Sequence, residues 1–155
     1  MKNKSTHSMD TVFVLILFAV FVVAALFVSS SGAVAYKNAV EQMDTRFNRQ
    51  TCISYITAKL RANNEGGKIS IGDLNGISAL CITDNFGDEE YVTYIYQYDG
   101  MVREMFCNAE IVLDPITGSA LTEAKALDFS MDGNMFTVTL TDKNDIVTTV
   151  YINTV

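Results

Sequence analysis

The chain has no tryptophan, one proline and one histidine among its 155 residues. A single imidazole cannot build a histidine-paired metal site, and His7 lies ahead of a long apolar run that separates it from everything downstream. No histidine follows that run, which removes the Ser-His and Cys-His pairs that activate most nucleophiles. Cys52, Cys81 and Cys107 form no Cys-x-x-Cys spacing, so neither a dithiol redox motif nor a zinc knuckle is encoded. Glycine-rich phosphate loops are absent. Carboxylates are plentiful, yet none sits in an apolar sequence neighbourhood that would shift its pKa for acid–base work. The expectation is a non-enzymatic protein without a cofactor.

Basic patches are also missing. The formal net charge is −7, and of the 18 acidic residues all but Asp10, Glu41 and Asp44 follow residue 63. That region holds only Lys68, Arg103, Lys125 and Lys143 as bases. An acidic surface of this kind repels phosphate backbones, so nucleic acid is not an expected partner.

Charge is absent altogether from Thr11 to Val34, and Val12 to Val28 is unbroken apolar sequence, VFVLILFAVFVVAALFV. At about 1.5 Å per residue a helix of this length crosses a hydrocarbon core of about 30 Å. In lipid every backbone amide needs an internal partner, so the run must be helical. Lys2, Lys4 and the amino terminus precede it, whereas Lys37 and Glu41 nearly cancel after it. The excess of positive charge places the N-terminus in the cytoplasm and residues 36–155 outside the cell membrane, as a single-pass protein. The competing reading is a cleaved secretory signal: Ser29-Ser30-Ser31-Gly32 followed by Ala33-Val34-Ala35 carries an Ala-x-Ala pair, with cleavage after Ala35. Against it, the apolar run exceeds the usual signal core of about 7 to 15 residues.

Residues 36–62 contain neither glycine nor proline and read as an amphipathic helix, separate from the span or continuous with it. Tyr36, Val40, Met43 and Phe47 share one face, while Ile53, Ile56 and Leu60 repeat the rhythm on a rotated face. Either the stripe changes partner near Asn48 to Cys52, one half meeting neighbouring helices and the other the chain's own sheet, or the helix kinks there. Asn63-Asn64-Glu65-Gly66-Gly67 ends it.

From Lys68 onward, short runs rich in β-branched and aromatic residues predict strands at 69–71, 77–83, 91–98, 101–107, 127–131, 135–141 and 146–152. Asp99-Gly100 and Asp132-Gly133 predict tight hairpin turns. Phe136, Val138 and Leu140 should face a core opposite Thr137, Thr139 and Thr141, and Tyr91–Tyr98, apolar on both faces, should be a central strand. GSALTEAK, residues 118–125, suits a loop or a short helix equally. The organisation is thus a tail at 1–10, a transmembrane helix at 11–34, an amphipathic helix at 36–62 and an antiparallel sheet domain at 68–155: an α+β fold with the helix packed on the sheet.

The layout of a short polar N-terminus, an apolar helix running into an amphipathic one, and then an antiparallel sheet resembles type IV pilins and the minor pseudopilins of type II secretion and competence systems. More locally, SYITAKLRANN, then TYIYQYDGMVREMFC, then a terminal pair of strands, is similar to an uncharacterised Gram-positive family of single-span proteins with pilin-like ectodomains. The resemblance implies a structural subunit whose partners are other pilin-like subunits or an assembly platform. It does not extend to the prepilin processing site, because His7-Ser8-Met9-Asp10-Thr11-Val12-Phe13 has no glycine before the apolar run. Asp10 stands near the place of the pilin glutamate that pairs with a neighbouring N-terminus. The alternative role for Asp10 is a helix N-cap or first-turn acid.

Two further groups stand out. Cys81 and Cys107, both on predicted strands, are the better candidates for a disulfide if the domain is outside the cell, the alternative being buried free thiols. Asp84, Asp88, Glu89 and Glu90 around Asn85-Phe86-Gly87 are candidate calcium ligands, although their spacing departs from the EF-hand and a solvated hairpin tip accounts for the same charges. The expected role is a non-enzymatic, membrane-anchored pilin-like subunit of an envelope filament or secretion machine. A secreted or tethered binding module is the alternative.

Overall fold

A computed structural model describes residues 4–111 and 114–154. A single helix, α1, spans Lys4–Ala62. It is followed by β1 Ile69–Leu74, β2 Ile77–Phe86, β3 Glu89–Tyr98, β4 Met101–Asn108, a one-turn 3-10 helix at Pro115–Thr117, β5 Ser119–Glu123, β6 Ala126–Asp132, β7 Met135–Thr141 and β8 Val147–Asn153. The architecture is α+β, an N-terminal helix followed by antiparallel sheets. Packing separates the chain into Met1–Met43 and Asp44–Val155, each compact in itself.

The first unit holds the apolar run. From Met9 onward α1 is long and apolar enough to cross a membrane, its most apolar window having mean hydropathy 3.2 with none of it buried. The helix continues unbroken through Ser29–Ala35, the stretch that carries the Ala-x-Ala pair. Ser31 Oγ donates back to the Phe27 carbonyl at 2.9 Å, so the hydroxyl is satisfied within the helix itself. Tyr36–Ala62 is likewise continuous with the span rather than a separate element.

The second unit is built around two sheets. β1-β2-β3-β4-β5 form a five-stranded antiparallel meander and β6-β7-β8 a three-stranded one. β3 is the middle strand of the larger sheet, as its two apolar faces require. On one face, Leu80, Ile82, Ile95 and Val102 pack with Ile53, Ile56 and Leu60 of α1 and with Leu127, Phe136, Val138 and Leu140 of the smaller sheet. Fully burying side chains of this size contributes about 1.5 to 3 kcal/mol each. On the other face Leu74, Ala79, Cys81, Val92, Tyr96, Met105 and Cys107 make a second cluster. Tyr96 Oη donates to the Pro115 carbonyl at 2.6 Å, tying the 3-10 turn down over that cluster. Gly118 lies so close to Tyr96 that a Cβ there would collide with its hydroxyl and press on the Glu104 carbonyl.

Register follows from the turns. Asp99 and Gly100 have φ of 51° and 72°, the signature of a type I′ turn, and the ladder pairs Tyr98 with Met101 and Tyr96 with Arg103, the register that a two-residue turn fixes. Asp132-Gly133 is not the second turn. Asp132 remains in the ladder opposite Met135, so the two loop residues are Gly133-Asn134. Only Gly133 has positive φ, 55°, which suits a type II′ turn with glycine first. Residues 118–125 are neither loop nor helix: most of them form β5, the edge strand against β4, with a register shift between Val102 and Arg103.

The C-terminal part of α1 runs beside β8. Arg49 Nη1 bonds Asp142 Oδ2 at 2.5 Å in the turn before β8, and Asn64 Nδ2 donates to the Asn153 carbonyl at 3.1 Å at its end. These two bonds tie the C-terminal part of α1 and the turn after it to the segments at either end of β8.

Candidate functional site

The helix termini and turns above fix three surface regions. The first is on α1 after the apolar run. Tyr36, Val40 and Met43 are 74%, 38% and 70% exposed, whereas Ile53, Ile56 and Leu60 are buried. α1 runs through Asn48–Cys52 without interruption. Within the second unit Phe47 is also exposed, beside Gln50, Thr51, Ser54 and Tyr55, which line a shallow groove on the helix.

The second region joins α1 to the sheets through charge. Glu104 on β4 accepts from Tyr55 Oη at 2.5 Å and from Lys59 Nζ, and the Lys59 ammonium stands 5.4 Å from the Tyr55 ring centre. Burial and then the Glu104 hydrogen bond push the Tyr55 phenol above its ordinary pKa. Burial alone would lower Lys59, but the Glu104 hydrogen bond reverses this and leaves it raised. Asp142 behaves similarly with the opposite sign. Its burial favours the neutral acid, yet the backbone amides of Ile146 and Asn144 and the Arg49 guanidinium hold its carboxyl below the usual range. These groups fasten the helix to both sheets. They are mutually satisfied structural pairs, of which Tyr55 also lines the shallow groove beside Phe47.

The third region is the tip of the β2–β3 hairpin, where the calcium candidates lie. The ladder places Asp84 opposite Tyr91, Asn85 opposite Glu90 and Phe86 opposite Glu89. Successive strand residues point to opposite faces, so Glu89 and Glu90 diverge. Asp84 turns toward Lys68, 3.6 Å away, and Glu89 accepts from Tyr91 Oη at 2.8 Å. Among the described residues no three Asp, Glu, His or Cys side chains gather in a metal-binding group.

The disulfide candidates are separated. Cys81 pairs with Tyr94 and Cys107 with Val92, on opposite sides of β3. Two strand spacings of about 4.8 Å exceed the Cα separation of about 7 Å that a bridge tolerates. Cys52, Cys81 and Cys107 are all free and buried. Burial raises all three thiols, Cys52 to about 11. Asp10 lies within α1, beyond its first turn, so it is not the N-cap. The backbone of His7 is helical.

Sequence reasoning missed the Arg49–Asp142 and Lys59–Glu104 pairs. Thr141-Asp142-Lys143-Asn144-Asp145 carries an Asx-turn signal, since Asp142 bonds the amides two and four residues on. Nothing in the sequence pointed from there to Arg49.

The comparison with protein families matches residues 47–143 to a domain of unknown function, DUF4860. The chain belongs to the DUF4860 family. The matched stretch begins at the exposed Phe47 and runs through the helix–sheet contacts, the five-stranded sheet and β7. Neither the curated proteins nor the solved structures contain a match to the chain. The DUF4860 region thus contains Arg49, Asp142, Lys59 and Glu104, together with the Asp99-Gly100 hairpin.

Proposed function

We propose that this DUF4860 protein is a non-enzymatic, pilin-like or pseudopilin-like subunit of an envelope filament or secretion machine. It is anchored by α1 with its N-terminus in the cytoplasm and its sheet domain outside. The observation that carries this reading is the exposed apolar set Tyr36, Val40 and Met43, at helical spacing on one face of α1 just after the span. Ile53, Ile56 and Leu60 are consumed by the chain's own core, while Tyr36, Val40 and Met43, on the segment just after the span, are left open to other helices. A helix used only as a tether would need apolar residues inside the lipid and none arranged on one face beyond it. Asp10, in the same α1 and exposed, is the acid we assign to contact with a neighbouring subunit's N-terminus.

Replacing residues 11–34 with an unrelated apolar span of equal length, together with Tyr36→Ser, Val40→Ser and Met43→Ser, tests the reading. A filament subunit uses that surface for packing, so assembly should fail although the protein remains membrane-bound and folded. Full function with the foreign span would instead leave the chain a tethered binding module.

A further inference from the structure

The tip of the β2–β3 hairpin carries a group of aromatic side chains that the core does not use. Phe86 ends β2, Tyr91 lies in β3 and Phe106 in β4. Phe86 is opposite Glu89, and Thr93 is opposite Phe106, so alternation brings Phe86, Glu89, Tyr91 and Phe106 to one face of the sheet. The Tyr91 and Phe106 rings are nearly parallel, 16° apart with centres 5.4 Å from each other. Phe86 stands at 77° to Tyr91 with centres 5.6 Å apart. The three rings therefore form a corner, and Phe86 and Phe106 are 62% and 56% exposed.

Charge decides what such a corner accepts. Ring faces are electronegative and attract cations. Glu89 is held beside the rings by the hydrogen bond from Tyr91 Oη, and Asp88, exposed in the turn, adds a second negative charge. The nearby Asp84 is already opposed by Lys68. An anionic ligand would be repelled here, whereas a cation flanked by apolar groups would meet both a ring face and a carboxylate.

We propose that the corner of Phe86, Tyr91 and Phe106, with Glu89 and Asp88 at its rim, docks a segment of a partner protein that presents arginine or lysine among apolar residues. This goes beyond the filament reading, because it concerns what the outer sheet recognises and requires no assembly of the chain with itself. The test uses the full chain, one copy per phosphatidylcholine nanodisc, titrated with two labelled synthetic peptides that alternate leucine with arginine or leucine with glutamate. The arginine peptide should bind at least about tenfold tighter than the glutamate peptide, and the double variant Phe86→Ser/Phe106→Ser should lose about tenfold in affinity. Asp88→Asn/Glu89→Gln should weaken binding to a similar degree. Asp128→Asn/Asp132→Asn removes the same charge from exposed positions of β6 and should stay within about twofold of the parent. Equal losses in both charge variants would mean diffuse attraction to an acidic surface and would overturn the proposal. So would binding that ignores the phenylalanine replacements, or a corner that instead mediates contact between two copies.

Discussion

Arg49 and Asp142, 93 positions apart in sequence, meet at 2.5 Å where the helix passes the turn ahead of β8. The carboxylate is almost wholly buried and also accepts the Asn144 and Ile146 amides, so it organises the turn while holding the helix. Removing the guanidinium would strand a buried negative charge. Arg49→Met should therefore cost about 3 kcal/mol in unfolding free energy, measured by denaturant titration of the chain in detergent micelles. Because the folded carboxyl titrates below its unfolded value, its contribution is complete above about pH 4 and is lost as pH falls through the folded pKa. The variant should show a shallower loss of stability in that acid range. An unchanged acid limb would mean that Arg49 does not set the Asp142 titration.

A second expectation concerns the helix face. Ile56 is fully buried against both sheets and Phe47 is open. Ile56→Ala should cost about 2 to 5 kcal/mol, and Phe47→Ser should stay within about 0.5 kcal/mol. Equal costs would show that α1 is rotated relative to the sheets.

The Asp99-Gly100 turn makes a third. Gly100 has φ of 72°, which a β-branched residue resists, so Gly100→Val should cost on the order of 1 kcal/mol or more. NMR contacts between Tyr96 and Arg103 check the register independently.

Much of this fold was legible because period-two alternation and Asp-Gly turns act locally. The pairing of Tyr96 with Arg103 follows from a turn whose two residues are adjacent in sequence, and the inward set Phe136, Val138 and Leu140 follows from spacing alone. β5 was not legible. Ser119–Glu123 has only weak strand preference, and it is a strand because β4 offers an open edge, with Gly118 permitting close approach to Tyr96. The Gly133-Asn134 turn was misplaced by one residue because Asp132 could serve either as a turn residue or as the last rung of the ladder. The apparent Cys81–Cys107 pair failed for a topological reason: β3 lies between them, and which strands neighbour one another is not written in the spacing of two cysteines. The aromatic corner needed the register of two hairpins at once before Phe86, Tyr91 and Phe106 came together.

A fourth expectation follows from those thiols. The intact mass of the purified chain should be unchanged by reductant, and native Cys52 should react slowly with maleimide because burial holds its thiol at about 11. Rapid labelling of Cys52 in the native chain would contradict its placement against the sheets.

The central claim is that the outward face of α1 beyond the apolar run packs against other subunits. Single substitutions Tyr36→Cys, Val40→Cys and Met43→Cys, compared with Glu41→Cys on another face of the same turns, can be oxidised in native membranes with Cys52, Cys81 and Cys107 replaced by alanine. The account predicts disulfide-linked species at Tyr36, Val40 and Met43 and little at Glu41. No linkage at any position, or equal linkage at all four, would contradict it.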